Sequence, residues 1–185
     1  MKTSKKENIL IWLLFFVLSL TGCAADKTNY QLPYPNENAK LTGFQSGLEP
    51  YGFGGIEWET ELSTLKGLKY YRTDISHRGI DFYFRKGELL KIGGELFDKV
   101  QYGFWSGKFY VGMIKTDGFV RWNVLKNAIL THYGEGTKPF RNREEYLWSG
   151  ENVTMALRYD QESDMGLFYI RSESLRKKMM SSPSR

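Results

Sequence analysis

The chain reads as an α+β domain built on an antiparallel meander sheet, and three stretches of sequence carry that reading. In residues 79–85, Ile80, Phe82 and Phe84 alternate with Asp81, Tyr83 and Arg85, a period of two that puts one set on each face of a strand. Residues 99–105 and 108–114 are further runs of this kind, joined through Ser106-Gly107, a tight-hairpin signal. Phe119, Trp122, Leu125, Ile129 and Tyr133 then recur at near-helical spacing up to Gly134, which predicts a helix over 119–133 with glycine at its end. Strands grouped in antiparallel runs and interrupted by helices define the α+β class. The two main helices are expected on one face of the sheet.

Each element follows from local chemistry. Residues 24–50 are rich in Asn, Lys, Pro, Gly and Gln, and Pro33, Pro35 and Pro50 break any regular element. They read as a tether that can pack Tyr30, Leu32 and Tyr34 onto a single domain over 51–180, with 181–185 a disordered tail. Residues 53–58 predict a short strand. Thr60 offers an N-cap hydroxyl to a brief helix carrying Leu62 and Leu65 and closing at Gly67. A short strand is expected at 89–92. Val100, Tyr102 and Phe104 should share a face of 99–105, as should Phe109, Val111 and Met113 of 108–114. Asp117 is the expected cap of the helix over 119–133. Strands at 144–148, 153–159 and 166–171 and a short basic helix from about Ser172 complete the order. Helix–meander alternation, with Gly55-Ile56-Glu57-Trp58 faintly echoed by Gly118 to Trp122, suggests a weak internal duplication.

Of the formal +5 charge, three lysines and one glutamate of the first 22 residues account for +2, leaving a mild excess of +3 on the remainder. The densest basic cluster is Arg171, Arg176, Lys177, Lys178 and Arg185. It reads as a solvated, frayed last helix rather than a nucleic-acid surface. Aromatic residues make up 16% of the chain and supply the core, since a single cysteine allows no internal disulfide.

That cysteine, Cys23, marks the address. Lys2, Lys5 and Lys6 precede the uncharged apolar run Ile9 to Leu20, and Leu20-Thr21-Gly22-Cys23 follows. A basic n-region, an apolar h-region and small residues before a cut point are the order of a secretory signal peptide. The run is too short for a spanning helix, which needs about 20 residues. The arrangement resembles the lipobox of bacterial lipoprotein precursors. The resemblance implies removal of residues 1–22 by cleavage between Gly22 and Cys23, and diacylglyceration of the Cys23 sulfur. It also implies acylation of the new amine and attachment to the membrane through those chains. One acyl chain binds only reversibly, whereas two or more make a stable anchor. In enterobacterial members an Asp directly after the cysteine favours the inner membrane; here Ala24 and Ala25 intervene before Asp26, which implies the outer membrane, facing the periplasm.

The residues offer little to catalysis. With the sole thiol committed to lipid, a Cys–His pair is excluded, and no Gly-x-Ser-x-Gly elbow stands beside His77 or His132. Both histidines are assigned surface or capping roles. Two histidines 55 residues apart make a weak zinc set. Asp160-x-Glu162-x-Asp164-x-Gly166 misplaces the glycine of a calcium loop, and Arg171 occupies the position of its bidentate Glu, so a solvated hairpin turn is expected. Glu57, Glu59 and Glu61 alternate around Trp58, a pattern that suits either the polar face of a strand and helix start or, less strongly, paired acids at a sugar. Absence of a phosphate-cradling glycine loop adds to the expectation of no cofactor and no metal.

With one apolar set facing the helices, the other sheet face is expected to show Tyr83, Trp105, Tyr110 and Ile114, with Gly103 and Gly112 as flat spots between them. Aromatics with polar tips suit recognition surfaces, and the alternative is that the 24–50 segment or a second layer covers them. The leading expectation is a non-enzymatic, lipid-anchored envelope protein that binds an envelope protein partner as an accessory or scaffold module. The alternatives are a module binding a small glycan or lipid through aromatics, and a hydrolase with a carboxylate pair assembled by the fold. A concave, aromatic-walled pocket with convergent polar groups distinguishes the second.

Overall fold

The computed structural model describes Gly43, Phe44, Gly47 and residues 49–182, with His77 described by its backbone alone. The leader 1–22, the Gly22–Cys23 cut point, Tyr30, Leu32 and Tyr34, and residues 183–185 lie outside the described residues. In chain order the elements are β1 (Gly52–Phe53), β2 (Ile56–Glu57), β3 (Leu68–Asp74), β4 (Ile80–Arg85), β5 (Leu90–Ile92), β6 (Glu95–Phe97), β7 (Val100–Trp105) and β8 (Lys108–Asp117). They continue as α1 (Phe119–Tyr133), β9 (Glu145–Ser149), β10 (Val153–Asp160), β11 (Met165–Ser172) and α2 (Glu173–Ser181).

The alternating runs pair into one seven-stranded sheet in the order β3-β4-β7-β8-β11-β10-β9, and every neighbouring pair is antiparallel. Two meanders therefore meet at β8 and β11, and α1 carries the chain from the middle of the sheet to its far edge. Strands β1 and β2, and β5 and β6, form separate two-stranded ribbons. The α+β class, the antiparallel sheet and the two helices are as the sequence predicts. Helix α1 spans the predicted residues, buries Trp122, Leu125 and Ile129, and ends on Gly134, whose N–H donates to the Leu130 carbonyl. Ser106 and Gly107 both take positive φ between β7 and β8, the mirror-image turn that a two-residue hairpin needs.

Several local expectations are corrected. Residues 53–58 fold back on themselves as β1 and β2 around Gly54 and Gly55, both with positive φ. Gly118, not Asp117, is the N-cap of α1, and the Asp117 carboxylate instead pairs with Lys99. Phe119 is exposed at the start of the helix. The turn Leu62–Thr64 is 3-10 and Thr60 does not cap it. The echoed segments adopt different structures, a ribbon strand and a helix start. The packed region starts before Tyr51: Phe44 meets the Tyr133 ring at 6.5 Å, and the Glu49 carboxylate accepts from Asn152 N at 2.6 Å and Val153 N at 2.8 Å.

A bulge decides which residues reach the core. Gly103 pairs with Val111 but Phe104 pairs with Phe109, so Tyr110 is the extra residue in β8. It breaks the expected Phe109, Val111, Met113 set. Phe109, Gly112 and Ile114 fall on the face of Val100, Tyr102 and Phe104, and Val111 and Met113 fall on the other. The first face carries α1, whose Trp122 stacks on Tyr159 of β10 at 5.7 Å. The second carries the start of α2: Glu173 Oε1 accepts from Thr154 Oγ1 at 2.7 Å and Arg171 Nε at 3.2 Å, and register places both partners with Val111. The helices thus divide between the two faces instead of sharing one, because β11 hands the chain straight into α2 on the side where Glu173 finds its buried partners.

Candidate functional site

The predicted aromatic patch is not a surface. Ile114 is 0% exposed and Tyr110 1%. Ile114 and the half-buried Tyr83 lie on the α1 face, where Tyr83 meets Phe104 edge-on at 5.4 Å. Trp105 lies opposite Ile80 on the other face. The four residues therefore neither share a face nor form an exposed set. The flat spots are filled by the chain itself: a Cβ on Gly112 would stand 2.0 Å from the Phe53 ring, and one on Gly103 would meet Val111, Phe82 and Ile80.

What Phe53 anchors is more informative. Because Gly112 has no side chain, the Phe53 ring seats on β8 and clamps the β1–β2 ribbon across the sheet, where Phe53 also meets Tyr102 at 5.9 Å and Phe168 at 6.3 Å. The residues after β2 are then fixed on the start of β8: Glu59 N–H donates to the Phe109 carbonyl at 3.0 Å and Phe109 N–H to the Thr60 carbonyl at 2.9 Å. Between this segment, the chain at 49–51, and the β11–α2 junction opens a cleft of about 480 Å³ lined by Glu49, Tyr51, Trp58, Glu59, Asn152 and Ser174, with Pro50 and Ser172. Its volume is within the usual range of small-molecule sites.

Trp58 is held on two sides. Its ring stacks on Phe109 at 5.1 Å and 13°, and its indole N–H donates to the Pro50 carbonyl at 3.0 Å. Tyr51, 86% exposed, also lines the cleft. Glu59 adopts a left-handed φ of 65°, a conformation that costs a non-glycine residue and gathers at functional sites. Its carboxylate accepts from Lys178 Nζ at 2.9 and 3.1 Å and from Ser174 Oγ at 2.8 Å. The Lys178 hydrogen bond, with that of Ser174, holds its pKa below the ordinary carboxylate value against the opposing effect of burial. At neutral pH Glu59 is therefore a charged acceptor, not a proton donor.

The three alternating carboxylates part company here. Glu59 enters the cleft, Glu57 lines a different hollow, and Glu61 reaches Lys108 at 3.5 Å. The 160–164 segment is the turn between β10 and β11, where Asp160 accepts from Glu162 N at 3.0 Å. Among the described residues no group of three or more His, Cys, Asp or Glu is placed to hold a metal ion, and no helix is long and apolar enough to cross a membrane. Exposed His132 packs edge-on against Tyr133 at 4.6 Å. Sequence reasoning singled out Trp58 and Glu59 but missed Glu49, Tyr51, Asn152 and Ser174. The last two arrive from about a hundred residues away, and no local pattern marks them.

No protein-family model, curated protein or solved structure matches this chain.

Proposed function

We propose that this is a lipid-anchored envelope protein, exported, cleaved before Cys23 and acylated there, whose domain binds a glycan at the Trp58–Glu59 cleft on the periplasmic side of the outer membrane. The address rests on the leader and the Leu20-Thr21-Gly22-Cys23 motif. The binding reading is carried by one observation: a single cleft lined by the aromatic residues Trp58 and Tyr51 and by the polar residues Glu59, Asn152 and Ser174. Aromatic faces suit the C–H faces of a sugar ring, and the polar groups suit its hydroxyls. The lowering of the Glu59 pKa by Lys178 and Ser174 favours binding over acid catalysis, since a glycosidase acid needs its pKa raised.

Calorimetry of the full-length chain in detergent with β-1,4-linked N-acetylglucosamine oligomers tests this. Saturable binding is expected, weakened roughly tenfold in Tyr51→Ala by loss of one anchoring aromatic and also weakened in Glu59→Gln. No saturable binding, or full binding by both variants, contradicts it.

Protein recognition keeps one observation in its favour. Tyr70 and Tyr71 lie 58% and 54% exposed on β3, an edge of the main sheet to which a partner strand can add. A protein reproducibly cross-linked to the anchored chain and lost in Tyr71→Ala would support that reading; recovery of none counts against it.

A further inference from the structure

We infer that the ligand is a linear chain that crosses the β1–β2 ribbon and occupies a second cleft beyond it; this rests on the glycan reading of the first cleft. The second hollow, of about 470 Å³, is lined by the ribbon itself and by Leu90, Lys91, Ile92, His132 and Tyr133. Tyr51, 86% exposed, lines both clefts and so makes them neighbours.

The ribbon runs from Tyr51 along the second cleft and offers a ligand little obstruction. Gly52, Gly54 and Gly55 all line the second cleft. The direction a Gly55 side chain would take is open space, whereas that of Gly54 points inward at Tyr102. The outer crest is therefore bare backbone, where a ligand can come close. Beyond it the chemistry repeats that of the first cleft in other residues. Tyr133 supplies an aromatic ring, and burial raises its phenol pKa to about 12, so the hydroxyl stays neutral. Glu57, Lys91 and His132 supply exposed polar groups, and Ile56 and Leu90 an apolar wall. Two aromatic-and-polar subsites joined over one exposed tyrosine suit a polymer of repeating polar rings better than a compact molecule.

The test compares chain lengths on the full-length protein in detergent, using N-acetylglucosamine oligomers of two and six units. If the longer oligomer engages both subsites at once, its affinity should exceed that of the shorter by roughly tenfold or more, because the second contact becomes intramolecular. Lys91→Ala and His132→Ala, both at exposed positions of the second cleft, should then weaken the six-unit ligand several-fold and leave the two-unit ligand within about twofold. Tyr51→Ala should weaken both lengths. Equal affinity for both lengths, with Lys91→Ala and His132→Ala silent, would overturn the extended groove and leave the first cleft standing. Absence of binding at every length would overturn both.

Discussion

Single residues decide how this molecule builds its cleft. Tyr51 is exposed, so Tyr51→Ala should leave the melting temperature unchanged while it weakens glycan binding, which separates a recognition role from a structural one. Glu173 is the opposite case. It is buried, with Arg171 Nε at 3.2 Å and Arg176 Nε at 2.5 Å. Burial raises its pKa, but the Thr154 and Arg176 hydrogen bonds and the charges of both arginines outweigh that and leave it lowered. A carboxyl lowered on folding stabilises fully above its unfolded value, and that stabilisation is lost as pH falls through the folded one. Thermal stability should therefore drop as pH falls below about 4.5, and Glu173→Gln should flatten that drop. At neutral pH the same substitution should cost about 3–5 kcal/mol in a denaturant titration, as expected when a buried ion pair loses one partner. An acid profile of Glu173→Gln identical to that of the unaltered chain would show that folding does not lower the Glu173 pKa.

Helix α1 and the β1–β2 ribbon each hang on one packing position. Trp122 is fully buried under α1, so Trp122→Ala should destabilise by about 3–5 kcal/mol, read as a shift in denaturation midpoint. Gly112 couples core to site, since any side chain there meets the Phe53 ring. Gly112→Ala should cost about 1–3 kcal/mol by overpacking and, by lifting the ribbon, should also weaken glycan binding. Undiminished binding would show that the ribbon does not need that seat. The sequence was legible where period and end signals agreed: α1 came out at its observed bounds, and the Ser106-Gly107 hairpin at its observed turn. It misled where one inserted residue reversed the parity. The bulge at Tyr110 leaves Phe109 on the α1 face but moves Ile114 to it and Val111 to the other, so Ile114, read as surface, is buried, and Tyr110 is buried too. Strand β3 was missed because its residues, Leu68 to Asp74, are mostly exposed edge positions with no clean alternation. Strand β6 was missed because three residues beside Gly93-Gly94 carry too short a pattern.

The proposed anchor and the candidate cleft belong to different parts of the chain, and only the anchor's motif is written locally. Cys23 stands out because an apolar run and small residues precede it directly. The cleft is assembled from 49–51, 58–59, 152 and 172–174, and only the fold brings these together. Cys23→Ala should yield an unprocessed or non-acylated chain when native-host material is weighed intact; normal acyl mass on that variant would refute the lipobox assignment. The proposed division of labour is most directly tested by titrating isotope-labelled full-length protein in detergent with the six-unit N-acetylglucosamine oligomer and following its amide and indole resonances. Saturable shifts are expected at the Trp58 indole N–H and at the Tyr51, Glu59, Asn152 and Ser174 amides, extending to Lys91 and His132. Shifts confined to β3, or none at these positions, would contradict it.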